Sequence, residues 1–161
     1  MKHVTFQKQM ANKVRTRTPL KPRGAGGLDS HRQIGLFVAL GFIRFGIIRF
    51  SDGEEVELLS SEALIYEGEQ SALPIRKEHT RAVLAKAKSV VNIAEKERLR
   101  AETLMKFGIK PLDALHLALA ESGNANYFCT CDDKLLQHSK RIEDLMVKVV
   151  NPVDLVQEIE E

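Results

Sequence analysis

At 161 residues, with apolar residues at 43% of the chain, the protein has material for one ordinary core and little for a second. Its 24 basic residues are nearly cancelled by 22 acidic ones, and a net charge of +2 gives by itself no reason to expect a nucleic-acid binder. The distribution is lopsided: Met1 to Leu28 holds seven Lys or Arg and no acid, whereas the chain ends Gln157, Glu158, Ile159, Glu160, Glu161.

The first 27 residues read as a basic arm, because Pro19, Pro22 and three glycines among polar side chains cannot bury much surface. Residues 1–27 are therefore expected to be disordered, and 28–161 to form the domain. Ile34 to Phe50 is apolar but has no clean period, with Gly35, Gly41 and Gly46 spaced through it, so helix and strand both remain open. Arg44 and Arg49 cut its apolar run to about half of the ~20 residues that a membrane span needs, and buried protein is the better reading.

From Val56 the pattern sharpens. Val56, Leu58 and Leu59 predict a strand, and Ser60 or Ser61 suits the cap of a helix carrying Ala63, Leu64, Tyr66 and Glu67. Arg76 to Phe107 reads as helix, short strand around Val90, Val91 and Ile93, then helix ending near Gly108. Pro111 opens a helix filled by Leu112, Leu115, Leu117 and Leu119 and closed by Gly123. Tyr127 to Thr130 predicts a strand running into Asp132 and Asp133, with a helix from Lys134 to about Lys140. Met146 to Val150 predicts another strand, and Asn151 and Pro152 start a terminal helix. Strands alternating with helices imply an α/β fold with a parallel sheet covered on both faces.

Ligands collect at the carboxyl ends of parallel strands, which makes Asp132 well placed, although a strand-to-helix turn can use such an acid purely as a cap. Asp113 falls in the first turn of its helix, where the dipole favours a negative charge, yet the rest of that helix is nearly all Leu and Ala. His116 lies one turn on, in reach of Asp113 or a phosphate, or is simply packed. Glu67 by itself reads as a solvated surface charge. Cys129 and Cys131 are too close in sequence to staple distant segments, which suits a reducing, cytoplasmic setting, and with His138 they make only a three-ligand zinc candidate that ranks below plain structural thiols.

Gly108 to Ala118 (Gly-Ile-Lys-Pro-Leu-Asp-Ala-Leu-His-Leu-Ala), followed by Tyr127 to Asp133, resembles the PIN-domain family, which contains the VapC-type toxin ribonucleases. Val149 to Pro152 and Ser61 to Glu67 resemble further segments of it. The resemblance implies a three-layer α/β/α fold with a mostly parallel sheet. It also implies that Glu67, Asp113 and Asp132 gather at one end of the sheet, hold Mg2+ or Mn2+, and catalyse hydrolysis of RNA phosphodiesters, with Thr130, His116 and Asp133 supporting them or touching substrate. The family's first ligand follows an apolar strand. Here Leu28, Asp29, Ser30 reproduces its local triplet after a glycine-rich stretch, so that either Asp29 is that ligand or its counterpart falls near Leu20. The expected partners are RNA, an antitoxin protein and a second copy of the chain, with no membrane. A degenerate domain that binds RNA or a protein without cutting is the alternative, and a plain α/β structural domain a third.

Overall fold

The computed structural model of the chain describes residues 34–38 and 56–160. The expected arm over residues 1–27, Asp29, and most of the Ile34 to Phe50 stretch lie outside the described residues.

Strand β1 (Ile34–Val38) resolves part of the open choice in that stretch in favour of strand. Strand β2 (Val56–Ser61) leads directly into helix α1 (Glu62–Glu69), then α2 (Pro74–Leu84), β3 (Ser89–Val91) and α3 (Glu95–Met105). Helix α4 (Pro111–Ser122), β4 (Tyr127–Cys129), α5 (Asp133–Ser139), β5 (Lys148–Val150) and α6 (Pro152–Glu160) complete the chain. The described strands form one sheet in the order β3-β2-β1-β4-β5, and every pairing is parallel. The mostly parallel α/β/α architecture expected from the sequence is the one observed.

Side chains alternate across a strand, so each strand feeds two cores. Phe37, Leu59 and Phe128 point to one face and pack with Leu64 of α1, Leu104 of α3, Leu117 of α4 and Leu135 of α5. Leu36, Val38, Leu58, Cys129 and Val150 point to the other and meet Val83 of α2 and Leu155 of α6. Phe37 sits at the middle of the sheet and stacks on Phe128 across the β1–β4 pairing, with ring centroids 5.4 Å apart.

The termini obey local chemistry. Ser61, not Ser60, caps α1, its Oγ accepting from Leu64 N at 3.2 Å. Asn151 caps α6 through Oδ1, which accepts from Asp154 N at 2.9 Å. The glycine after α3, Gly108, has φ +85, a backbone that glycine adopts without strain. Gly123 closes α4 for a different reason. Its φ is −79, and the left-handed turn falls instead on Asn124 at φ 55. What excludes a side chain at Gly123 is proximity, since a Cβ there would lie 2.8 Å from Cγ2 of Val91 on β3.

Because Val91 is β-branched and stiff, it cannot swing away cheaply. Gly123→Ala is therefore expected to cost about 1–3 kcal/mol in urea unfolding, as other overpacked sites do. The double variant Gly123→Ala/Val91→Ala should regain part of that loss. An unchanged midpoint in the single variant would show that the α4–β3 contact is loose.

Candidate functional site

Three acids from three chain segments, Glu67, Asp113 and Asp132, lie near enough for the charges of the other two to act on Asp113. Asp132 follows β4 and is the N-cap of α5, where its Oδ1 accepts from Lys134 N at 2.9 Å and Leu135 N at 3.1 Å. The capping role foreseen as the plain alternative is thus real, and it occupies one carboxylate oxygen. Thr130, buried in the turn before it, accepts from Asp132 N at 3.1 Å through Oγ1, while its own N–H donates to Val150 O. Thr130 thereby fixes the backbone from which Asp132 projects. Asp133, in contrast, is exposed in the first turn of α5.

Asp113 sits in the first turn of α4, whose N-cap residue, Lys110, supplies no side-chain cap. The same helix carries a second acid, Glu121, which is nearly buried and fully engaged. It accepts from Arg100 Nε at 2.8 Å, Arg100 Nη2 at 3.0 Å and Met146 N at 3.0 Å, and Arg100 also reaches Asp144. Among the described residues Asp113 has no such partner. Burial pushes its carboxyl pKa up, opposed by nearby His116, and Asp132 and Glu67 push it further up while Lys110 pulls it down.

Glu67 lies in the second half of α1, half-buried rather than solvated, and its Oε2 is 2.9 Å from His116 Nε2. Here the structure corrects the expected geometry. His116 was placed within reach of Asp113 or a phosphate. Its hydrogen bond instead crosses from α4 to α1, and Asp113 is influenced only through space. The His116 ring is 3% exposed, lies 6.2 Å from the Phe37 ring, and has a buried Nδ1 without a hydrogen-bond partner.

The PIN domain family model matches residues 47–141, more than half of the chain. The chain belongs to the PIN domain family. No curated protein sequence matches it. Among solved structures it resembles a VapBC2 from Rickettsia felis, bound to a DNA fragment from the promoter, at TM-score 0.50 and 16% identity, over 73% of this chain and 98% of that one. It also resembles a DNA-bound VapBC from Salmonella typhimurium at TM-score 0.51 and 15% identity, over 74% of this chain and 98% of that one.

In this PIN domain the donor set suits a hard divalent cation, being carboxylate oxygen throughout. Spacing is less accommodating: among the described residues no three His, Cys, Asp or Glu side chains stand close enough to hold one ion. Glu67, Asp113 and Asp132 are near enough to feel one another's charge and no nearer. Asp29 lies outside the described residues. In the chain it precedes β1, and the residues after that strand are Ala39 and Leu40. Cys129 is buried, its thiol pushed up to about 12 by burial, whereas Cys131 is exposed beyond the strand. The charge that sequence reasoning passed over is Lys110, whose position one residue before Pro111 was the available signal.

Two predictions separate scaffold from site. Asp132→Ala should cost about 1 kcal/mol in urea unfolding through loss of the cap, and Asp132→Asn only a few tenths, since Asn caps equally well. Asp113 has a folded pKa raised above its unfolded value, so the native state holds its proton more tightly. Its contribution to stability falls as pH rises from the ordinary carboxylate range through the raised value, and stays low above it. Asp113→Asn should therefore raise the metal-free melting temperature at pH 7.5, with the gain shrinking toward pH 4. A variant that is less stable than the wild type at both pH values would show that the carboxylate is held by the helix dipole instead.

Proposed function

We propose that this PIN domain is a divalent-metal-dependent endoribonuclease, the toxin member of a toxin–antitoxin pair. The observation that supports it best is Asp113 itself, partly desolvated, without a hydrogen-bond partner among the described residues, and within range of the charges of Glu67 and Asp132. Structural acids in this fold look different, as Glu121 with Arg100 illustrates.

Glu67, Asp113 and Asp132 are the residues that would hold Mg2+ or Mn2+. Once bound, such an ion polarises a phosphate oxygen and eases deprotonation of water for in-line attack. The chain's own residues do the positioning. Thr130 fixes Asp132, the cap on α5 leaves the second Asp132 oxygen for the site, and the Nε2 of His116 engages Glu67. Lys110 before α4 and Lys134 in the first turn of α5 are exposed beside the acids and suit the phosphates of a bound strand. Fold likeness to the two VapBC structures supports an antitoxin as partner, and a homodimer belongs to the same reading.

The non-cutting alternative has its own support, in the absence of an acid directly after β1 and of a three-acid cluster among the described residues. A manganese titration decides between them, read by melting temperature and by cleavage of RNA. The nuclease reading expects stabilisation by about 2.7 kcal/mol at 100 times the dissociation constant. It also expects cleavage that Asp113→Asn and Asp132→Asn each lower on the order of 100-fold or more. Stabilisation without cleavage would select the binding domain, and no response to manganese would leave both acids structural.

A further inference from the structure

The buried histidine on α4 is not explained by packing alone. His116 is 3% exposed, between Phe37 and the α1 surface, in a helix whose neighbouring positions are Leu and Ala. A leucine would fill such a site without burying polar atoms, and the Nδ1 of His116 finds no partner there. Burying an unpaired acceptor costs roughly 1–3 kcal/mol, so the ring must do something that an apolar side chain cannot. Its one polar contact among the described residues is Nε2 to Oε2 of Glu67 at 2.9 Å, across 49 residues of sequence.

We infer that His116 is a positioning residue, whose Nε2–H donates to Oε2 of Glu67, fixes that carboxylate's rotamer, and presents its other oxygen to the edge shared with Asp113 and Asp132. The orphan Nδ1 decides the proton's place. If Nδ1 carried the only proton, a buried donor would be left unsatisfied and the Nε2 lone pair would face a carboxylate. With the proton on Nε2 the contact becomes a charge-assisted hydrogen bond, which is stronger than a neutral one. Glu67 is a flexible side chain in a short helix, whose Ala63 and Leu64 pack into the core shared with α4. Outer hydrogen bonds of this kind orient metal-binding carboxylates, and removing one typically weakens metal affinity about 10–100-fold.

The role of Glu67 as a ligand rests on the nuclease reading, whereas the hydrogen bond and its proton do not. The test therefore has two parts. In the metal-free protein, nitrogen-15 NMR of the histidine ring at pH 7.5 should place a proton on Nε2, with a resonance that shifts in Glu67→Ala. A ring protonated on Nδ1 alone, or one indifferent to Glu67→Ala, overturns the inference whatever the protein does with metal.

The second part is manganese affinity by calorimetry for His116→Leu and His116→Gln. Leucine keeps the packing and removes the donor. Glutamine places an N–H near the position of Nε2. Positioning expects His116→Leu to melt no lower than the wild type yet bind manganese about 10–100-fold more weakly, with His116→Gln recovering most of the affinity. A purely packing role expects the opposite order, with glutamine the poorer variant, and that result would also overturn the inference. A wild type that binds no manganese defeats the nuclease reading, and the NMR result alone then decides whether His116 holds Glu67.

Discussion

Parallel pairing of β1 with both β2 and β4 is the constraint on which the rest of the structure depends. Parallel neighbours cannot be joined by hairpins, so the described returns from β2 to β3, β3 to β4 and β4 to β5 run through helices, and all the carboxyl ends fall on one edge. Three of the helices start within a few residues of a strand end, and each is capped by a side-chain oxygen at the junction: Ser61 at the end of β2, Asp132 after β4 and Asn151 after β5. The backbone amides at those starts need acceptors, and the fold supplies them within three residues of the sheet. One of the three acceptors carries a full charge, and that is how Asp132 comes to the edge as a structural element before any chemistry is asked of it. The amino end of α4 reaches the same edge by a different route, because the helix must run antiparallel to the strands to deliver the chain to the start of β4.

The two acids of α4 show how much a partner matters. Glu121 has three hydrogen-bond donors around it, two of them from one guanidinium, and the network ties α3, α4 and the segment before β5 together. Its charge is compensated within the protein. Asp113, two turns earlier, is only half-buried and meets His116 and Lys110 at longer range, while Asp132 and Glu67 oppose its ionisation. Compensation at one end of a helix and its lack at the other is not what uniform selection for stability would leave. That asymmetry is what the proposed role of Asp113 rests on.

Much of this was legible in the sequence from Val56 onward. The helix starts at Pro111 and Pro152, the strand running into Asp132, and the pattern of alternation were all visible, because local chemistry and fold agree there. Three features were not. The strand at Ile34–Val38 could not be told from helix, since a short apolar run with a glycine has no period, and only its pairing on both sides makes it central. The glycine at position 123 looked like an ordinary helix stop, whereas its reason is Val91, 32 positions away in the chain. The Glu67 partner of His116 was not foreseen, because helical spacing points to Asp113 and the contact that forms crosses between helices. Contacts distant in sequence are where single-chain reasoning loses its grip.

The centre of the sheet carries a further consequence. A strand flanked on both sides ends in the middle of the edge, equidistant from the segments that β2 and β4 supply, and an acid there would stand between Glu67 and Asp132. In this chain the strand finishes on Val38, with Ala39 and Leu40 next. Each additional carboxylate at such an edge raises affinity for a cation and also raises the repulsion that the metal-free fold must bear. With an apolar strand end in that place the balance shifts toward the fold: three acids, each leaning on a backbone amide, a histidine or a lysine field, are tolerable without a counter-ion. The same shift leaves any bound ion with fewer protein oxygens and more water. On the proposed metal-binding reading, orientation of the oxygens that remain would then matter more, and the groups that hold them would be Thr130 behind Asp132 and His116 behind Glu67.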